Sequence, residues 1–202
     1  MIAVVDYGVG NLFSLKSSLS AIGADAVVTN DPKLIKSADH VILPGVGAFG
    51  DAARKLRETG MFDLMKEIAA SGTPMLGICV GMQLLFEKSL EFGEHEGLGL
   101  LPGTVDAIAP RLSLPLDIPH MGWNSLEMKQ NSPLFAGIAD GAFVYFVHSF
   151  AAFGCEEYTT ATVEYEIDLT AAVQRNNVYG TQFHPEKSGP VGLAILKNFC
   201  SL

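Results

Sequence analysis

The chain has 202 residues, of which 49% are hydrophobic and 17% are charged, and its formal net charge is −9 at pH 7. This composition excludes a disordered chain and predicts one globular domain over residues 1–202, while the negative charge disfavours nucleic acid and anionic membranes as partners. The three cysteines have no metal-binding spacing and no even count for disulfides. We therefore expect a reducing, cytoplasmic location, with no metal and no cofactor.

The first half of the chain alternates short apolar runs with segments of helical periodicity. Strands are predicted at Ile2–Val5, Ala26–Thr29 and His40–Leu43, and helices at Leu12–Ile22, from Asp31-Pro32 onward, at Phe49–Glu58 and at Phe62–Ser71. This alternation predicts an α/β fold of three layers, with a mostly parallel central sheet and helices on both faces. Active sites of such folds lie beyond the carboxyl ends of the strands.

Two glycine-containing loops follow strands in this half. Gly8 and Gly10 lack the third glycine and the later acidic residue of a dinucleotide fingerprint, so we interpret them as turn glycines. The third strand runs into Pro44-Gly45-Val46-Gly47, whose backbone N–H groups suit an anion or a developing oxyanion. A tight turn without function is the alternative for this second loop.

The segment Gly77-Ile78-Cys79-Val80-Gly81 has the pattern of a nucleophile elbow, with cysteine in place of serine. An apolar run, Thr73–Leu76, precedes it, and Gln83–Lys88 continues with helical spacing. Glycines on both sides allow a strained turn, and the N-terminus of a following helix would lower the pKa of the thiol. The alternative is that Cys79 is a small buried hydrophobic residue.

The second half of the chain predicts further strands joined by short loops, followed by a closing helix. The strands are expected at Pro102–Ile108, Met121–Met128, Phe143–Phe150, Thr159–Glu164, Ala171–Gln174 and Val178–Gln182, and the helix at Val191–Cys200. Short connections such as Asn176-Asn177 indicate antiparallel hairpins appended to the parallel sheet. A lone tryptophan is more often part of a core, but Trp123, the only one, lies between Gly and Asn near a turn, and an exposed tryptophan would fit a partner interface.

The segment His184-Pro185-Glu186 follows the last strand and supplies partners for Cys79. The proline fixes the direction of the chain, and Glu186 is expected to hold the imidazole of His184. Cysteine, histidine and an orienting carboxylate form the thiol version of a nucleophile–base–orienter triad. We predict acyl transfer at an amide or ester carbonyl, with the oxyanion stabilised by the Val80 N–H and the loop around Val46 and Gly47.

The elbow and the His-Pro-Glu segment together resemble a class I, or triad-type, glutamine amidotransferase. Four further segments are similar to one subgroup of this family, the glutaminase subunits of imidazole glycerol phosphate synthases; they are Asp6–Asn11, Leu43–Phe49, Pro119–Asn124 and His184–Ser188. The resemblance covers essentially the whole chain and implies a flavodoxin-like fold of this family. It also implies hydrolysis of glutamine to glutamate and ammonia, which a (β/α)₈-barrel cyclase subunit then uses to make imidazole glycerol phosphate and aminoimidazole carboxamide ribonucleotide.

The resemblance also implies roles for individual residues. Gln83 and Glu91 would hold the polar groups of glutamine, together with backbone from His148, Ser149 and Phe150. A reorientation of the Val46 peptide would complete the oxyanion hole and suits control by the partner. Asn11, Trp123 and Lys187 are the expected residues of the docking face.

Two other classes of function stay open at the level of sequence. One is a stand-alone cysteine hydrolase or the glutaminase of another synthase, although the Gly-Gly-Glu-Ser loop of vitamin B6 glutaminases is absent. The other is a binding subunit or thiol sensor with a triad fold. A glutamine turnover that depends on Cys79 separates these classes.

Overall fold

The computed structural model describes all of residues 1–202. Its six α-helices are α1 Leu12–Ala21, α2 Pro32–Lys36, α3 Phe49–Glu58, α4 Met61–Ser71, α5 Val80–Gln83 and α6 Gly189–Phe199. Its strands are β1 Ile2–Val5, β2 Ala26–Thr29, β3 His40–Gly45, β4 Met75–Cys79, β5 Phe86–Ser89, β6 His95–Glu96, β7 Leu101–Ala107, β8 His120–Met128, β9 Phe143–His148, β10 Phe150–Phe153, β11 Thr159–Tyr165, β12 Ile167–Arg175 and β13 Val178–Thr181.

The main sheet has nine strands in the order β2-β1-β3-β4-β13-β12-β11-β8-β9. The first five of these run parallel, and the last four continue the sheet in antiparallel pairs. Strands β1, β3 and β4 are buried along their whole length, as expected where helices cover both faces of a sheet. The α/β fold with an antiparallel extension, as predicted from the sequence, is confirmed.

The helices form two groups that pack on this sheet. Helix α1 packs with α6, whereas α4 packs with α2 and α3. The buried positions of α3 are Phe49, Ala52, Ala53 and Leu56, an i, i+3, i+4, i+7 stripe that faces the core. No helix is both long enough and apolar enough to cross a membrane.

A second sheet of four strands, β10-β7-β5-β6, corrects two predictions. The helix predicted to continue from Gln83 to Lys88 ends at Gln83, and β5 begins three residues later. The reason is tertiary: backbone N–H groups of residues 97–101 donate to the carbonyls of residues 84–87, so these carbonyls are not available to a helix. The strand predicted over Phe143–Phe150 is also divided, because Ser149 separates β9 in the main sheet from β10 in the second.

Candidate active site

Three strands bring the predicted catalytic residues to one edge of the main sheet. In the parallel register, Cys79 at the end of β4 lies beside Gly45 of β3, and Ile78 lies beside Thr181 of β13. His184 follows three residues after Thr181. The carboxyl ends of β3, β4 and β13 therefore meet where the fold predicts a site.

Cys79 has a backbone conformation that is strained for a residue with a side chain. Its φ is +55° and its ψ is −113°. Such conformations cost on the order of 1–3 kcal/mol and occur mainly at functional sites, where the surrounding structure enforces them. Cys79 itself is only 5% exposed.

The glycines of the elbow serve close packing rather than the strained turn that the sequence suggested. A Cβ on Gly81 would lie 1.9 Å from the carbonyl oxygen of Leu43, and one on Gly77 would lie 2.6 Å from the oxygen of Gly81. Neither glycine has a positive φ; the positive φ in this turn belongs to Cys79. These glycines let α5 sit directly against β3, and because α5 has four residues, the long helix expected behind the thiol is absent.

His184 and Glu186 form a buried pair next to Cys79. His184 Nδ1 lies 2.8 Å from Glu186 Oε1, and their side chains are 2% and 3% exposed. Cys79 also lies close enough to the imidazole to influence its pKa. Burial alone lowers the pKa of His184, but the interactions of the imidazole with Cys79 and Glu186 together outweigh burial, so the net shift of this pKa is upward. The raised pKa of His184 favours an imidazolium between the Cys79 sulfur and the Glu186 carboxyl group.

A cavity of about 500 Å³ opens above Cys79. It is large enough for an amino acid, and all of the residues predicted to bind substrate or the oxyanion line it, together with two of the catalytic residues. They are Val46, Gly47, Cys79, Val80, Gln83, Glu91, His148, Ser149, Phe150 and His184; Lys187, Phe92, Pro119 and Val147 complete the lining. Of the predicted triad, only Glu186 is outside this lining, because it lies behind His184.

The loop after β3 places Val46 and Gly47 at the cavity. Val46 is 39% exposed, and Gly47 has a φ of +84°, which glycine adopts without strain. The base of the loop is fixed by Tyr7, whose buried hydroxyl donates to the carbonyl of Pro44 at 2.8 Å. The loop is thus fixed at Pro44 and open to solvent at Val46.

Glu91 combines a structural contact with a free oxygen at the cavity. Its Oε2 accepts a hydrogen bond of 2.7 Å from the N–H of Phe49, the first residue of α3. No side chain of the N-cap residue, Ala48, caps this helix, so Glu91 supplies the cap from a distant loop. Burial raises the pKa of Glu91, while the Phe49 N–H and nearby His95 oppose that shift.

A chain of neutral hydrogen bonds, which we call the histidine chain, runs from Asn124 through His120 and His148 to the carbonyl of Phe150. The distances are 3.3 Å from Asn124 Nδ2 to His120 Nε2, 2.9 Å from His120 Nδ1 to His148 Nε2, and 2.9 Å from His148 Nδ1 to Phe150 O. A carbonyl only accepts, so His148 carries its proton on Nδ1 and takes a hydrogen bond from His120 on Nε2. Desolvation lowers the pKa of His120 to about 4 and that of His148 to about 3.

The residues expected at a docking face lie near the cavity, but in different settings. Trp123 is 54% exposed, and its ring packs edge-on against Tyr145, whose ring also lies 5.7 Å from Lys187 Nζ. Asn11 is half-buried, and its Oδ1 accepts from the N–H of Ser14 at the start of α1. Asn11 also lines a small cavity of about 10 Å³ beside His184 and Glu186.

Two buried polar residues of the site were missed by the sequence reasoning. Gln182 is fully buried between Cys79 and Gln83. Ser188 donates from Oγ to the carbonyl of His184 at 2.6 Å and accepts from the N–H of Tyr145 at 3.0 Å. Both stand within four residues of His184, and a polar residue next to a predicted catalytic histidine was the available signal.

Fold and site together define a cysteine-dependent amidotransferase, and comparison with known proteins identifies the family. The model of the family "Glutamine amidotransferase class-I" matches residues 3–201. A crystal structure described as a glutamine amidotransferase superposes with a TM-score of 0.76 at 19% identity, covering 100% of both chains. PurLQS from Thermotoga maritima superposes with a TM-score of 0.75 at 20% identity, covering 99% of this chain and 97% of that one. At such identities these two structures support the fold alone.

Closer relatives are curated proteins named imidazole glycerol phosphate synthase subunit HisH. Those of Bacillus cereus, Sulfurimonas denitrificans and Geobacter metallireducens are 48%, 51% and 50% identical to this chain. Each alignment covers 98% of this chain, and 93%, 97% and 96% of the respective relative. The chain belongs to the class I glutamine amidotransferases and, within them, to the HisH family. The enzyme class predicted from the sequence is thereby confirmed.

Proposed function

We propose that this chain hydrolyses glutamine through a thioester on Cys79 and delivers the ammonia to a (β/α)₈-barrel cyclase subunit. The observation that carries the proposal is the buried set of Cys79, His184 and Glu186 beneath a cavity of amino-acid size. The proposal is also supported by the relatives, which carry the name of a synthase subunit and are about 50% identical to this chain over nearly their full length. Those names place the relatives in imidazole glycerol phosphate synthases, the enzymes to which the sequence resemblance pointed.

The chemistry follows from the charge distribution of the three side chains. The thiolate of Cys79 attacks the side-chain carboxamide carbon of glutamine, and the resulting oxyanion is stabilised by the Val80 N–H and by the loop at Val46 and Gly47. The imidazolium of His184 then gives its Nε2 proton to the leaving nitrogen, which departs as ammonia. Neutral His184 next activates a water that hydrolyses the thioester to glutamate.

Glu186 acts through His184 rather than on the substrate. Its Oε1 accepts a hydrogen bond from the Nδ1–H of His184, which leaves Nε2 directed at the thiol and stabilises the imidazolium. In the cavity, Oε1 of Glu91 is suited to the α-ammonium of glutamine, because its other oxygen is held by Phe49. Gln83 presents its Oε1 as an acceptor, because its amide nitrogen is already engaged by Phe150 and Gln182.

The docking face proposed for the cyclase includes Lys187, which lines this cavity, and exposed apolar side chains of β8 and α1. Trp123 and Met121 are 54% and 65% exposed on the same face of β8, and Phe13 is 83% exposed near Asn11. Exposed large apolar side chains near a polar rim mark interaction surfaces. Lys187 lines the cavity and approaches Tyr145, so a partner that contacts Lys187 reaches the site directly.

The test is the rate of glutamine hydrolysis by the isolated chain, alone and with a cyclase barrel and its nucleotide ligand. We expect a low rate alone, a steep rise in the complex, and loss of the rate in Cys79→Ala. A high rate without the partner would leave the thioester chemistry intact and contradict control by the partner. Absence of turnover in both conditions would refute the proposal.

Trp123→Ala provides the matched test of the docking face. The residue contributes nothing to the Cys79 set, so the variant should keep the basal rate and lose affinity for the cyclase. An interfacial aromatic residue is worth about 2 kcal/mol or more, which corresponds to a roughly thirtyfold weaker complex. Affinity equal to that of the unchanged chain would exclude Trp123 from the interface.

A further inference from the structure

Gln182 lies between the nucleophile and a residue of the substrate cavity. It follows β13 directly, is 0% exposed, and is fixed by the hydrogen bond from its N–H to the carbonyl of Ala171. Its side-chain Nε2 lies 3.8 Å from Cys79 Sγ, and its Oε1 lies 3.0 Å from Gln83 Nε2. Burying an amide removes its hydrogen bonds to water, so a fully buried amide needs hydrogen bonds within the protein to offset that loss.

The neighbouring groups determine which way this amide points. The carbonyl of Phe150 only accepts, so the amide group that faces it at 3.2 Å is the NH₂ of Gln83. That NH₂ also faces Gln182, which must therefore present its oxygen to Gln83. The NH₂ of Gln182 is consequently directed at the sulfur of Cys79. With the amide of Gln182 turned the other way, its NH₂ group would face the NH₂ group of Gln83, and its oxygen would face the sulfur of Cys79.

We propose that Gln182 is a positioning residue of this enzyme, which holds the Cys79 thiolate by an N–H···S hydrogen bond and fixes the amide of Gln83 with its oxygen. The inference rests on the proposed role of Cys79 as the nucleophile. A hydrogen bond to an anion is stronger than one to a neutral sulfur, so this donor favours the thiolate over the thiol. Because the amide is neutral, it stabilises the anion without competing with His184 for the role of acid.

A purely structural role makes a different prediction. If Gln182 only joins β13 to the cavity wall, its replacement lowers stability and leaves the ionisation of Cys79 unchanged. Two variants separate these roles. Gln182→Glu keeps the oxygen for Gln83 and removes the donor to Cys79, while Gln182→Met removes both contacts at similar length.

The experiment measures alkylation of Cys79 by iodoacetamide against pH in the full chain. Mass spectrometry of the peptide that contains Cys79 separates its reaction from those of Cys155 and Cys200. The matched control is Gln174→Glu, the same change on the adjacent strand β12, where the side chain contacts Tyr179 and Asn176. Thermal melting of each variant reports whether the fold is retained.

We expect the midpoint of Cys79 ionisation to rise by about one to two pH units in Gln182→Met, and at least as far in Gln182→Glu, where a carboxylate faces the thiolate. The midpoint in Gln174→Glu should stay in place. With the cyclase present, Gln182→Glu should lower kcat by about tenfold or more and change KM less, because the contact with Gln83 is kept.

The following results decide whether Gln182 holds the thiolate of Cys79. An unchanged midpoint in folded Gln182→Glu refutes the inference, as does an equal shift in the Gln174→Glu control. If Gln182→Met does not fold, Gln182→Leu replaces it as the neutral variant, because the carboxylate of Gln182→Glu raises the midpoint by its own charge. A parent chain that turns over no glutamine in its complex refutes the proposed function, whereas the alkylation midpoint still tests Gln182.

Discussion

The two imidazoles of the histidine chain should make the fold lose stability as the pH falls below 6.5. Burial lowers the pKa values of His120 and His148 from 6.5 to about 4 and about 3. Below pH 6.5 the unfolded chain therefore binds protons that the folded chain does not. The stability contributed by the neutral pair is complete above pH 6.5 and is lost as the pH falls towards the folded pKa values.

The size of this loss of stability follows from the distance between the pKa values of the unfolded and folded chains. Between pH 6.5 and about pH 5, protonation of the unfolded chain lowers the free energy of unfolding by about 1.5 kcal/mol at His148. At His120, which has fewer protein groups around it, the decrease is about 1 kcal/mol. The raised pKa of His184 acts in the opposite direction. Its stabilisation is complete below the unfolded pKa and is lost at higher pH, so it changes by only about 0.4 kcal/mol in this window. The net loss of about 2 kcal/mol is a large share of a typical folding free energy.

Urea unfolding at pH 6.5 and at about pH 5 measures this loss in three proteins. Between the two pH values, the free energy of unfolding of the unchanged chain should fall by about 1 kcal/mol more than that of His120→Gln, because this variant lacks one titrating group. Tyr165→Phe is the control, because it keeps the ring that packs on His120 and removes a hydroxyl that donates to Asp117. Tyr165→Phe should therefore lose as much unfolding free energy between the two pH values as the unchanged chain does. Equal losses in the unchanged chain and His120→Gln would refute the reasoning.

Three further predictions concern the strained and crowded parts of the site. Cys79→Gly should be more stable than Cys79→Ala by about 1–2 kcal/mol in urea, the reverse of the usual order, because only glycine adopts this φ and ψ without strain. Gly81→Ala should cost more than about 3 kcal/mol by the same measurement, since its Cβ would overlap a backbone carbonyl of β3. Ser188→Ala should cost about 1–2 kcal/mol and lower glutamine turnover, because Ser188 ties the backbone of His184 to that of Tyr145; retained stability with unchanged turnover would count against this role.

The parts of the fold set by local pattern were predictable from the sequence. Strand β1 has the bounds that its apolar run predicts, and α3 has the bounds that its periodicity predicts. The parallel order of β3, β4 and β13 then places Cys79 and the His184 segment at one edge. The rule that sites lie at the carboxyl ends of parallel strands predicts this for β3 and β4. The parallel pairing of β13 with β4 was not predicted, because the short loops of this part of the chain indicated only antiparallel hairpins.

The parts decided by distant contacts were not predictable. Residues 83–88 have helical spacing, yet β5 forms because residues 97–101 bond to the carbonyls that a helix would use. The strain at the elbow was assigned to its glycines, whereas it lies on Cys79, because the close approach of Leu43 to Gly81 is visible only in three dimensions. The role of Gln182 has the same origin, since its partners are 103 and 99 residues away in the chain.

The charges of the site lie on a few side chains, and the other buried polar groups around them are neutral. Apart from Glu186, the site near the Cys79 thiol and the His184 imidazole contains neutral buried polar groups. They include the amide of Gln182 beside Cys79, the amide of Gln83 beside Gln182, and the imidazole of His148. Neutral dipoles fixed by their own hydrogen bonds stabilise a developing charge without reorganising during the reaction. A second imidazolium at His148 would repel the one at His184 and lower its pKa, weakening the acid that protonates the leaving nitrogen. The histidine chain prevents this, because its donors and acceptors are satisfied only when both of its imidazoles are neutral. The same hydrogen bonds that fix the substrate cavity thus leave His184 as the imidazole that carries the positive charge.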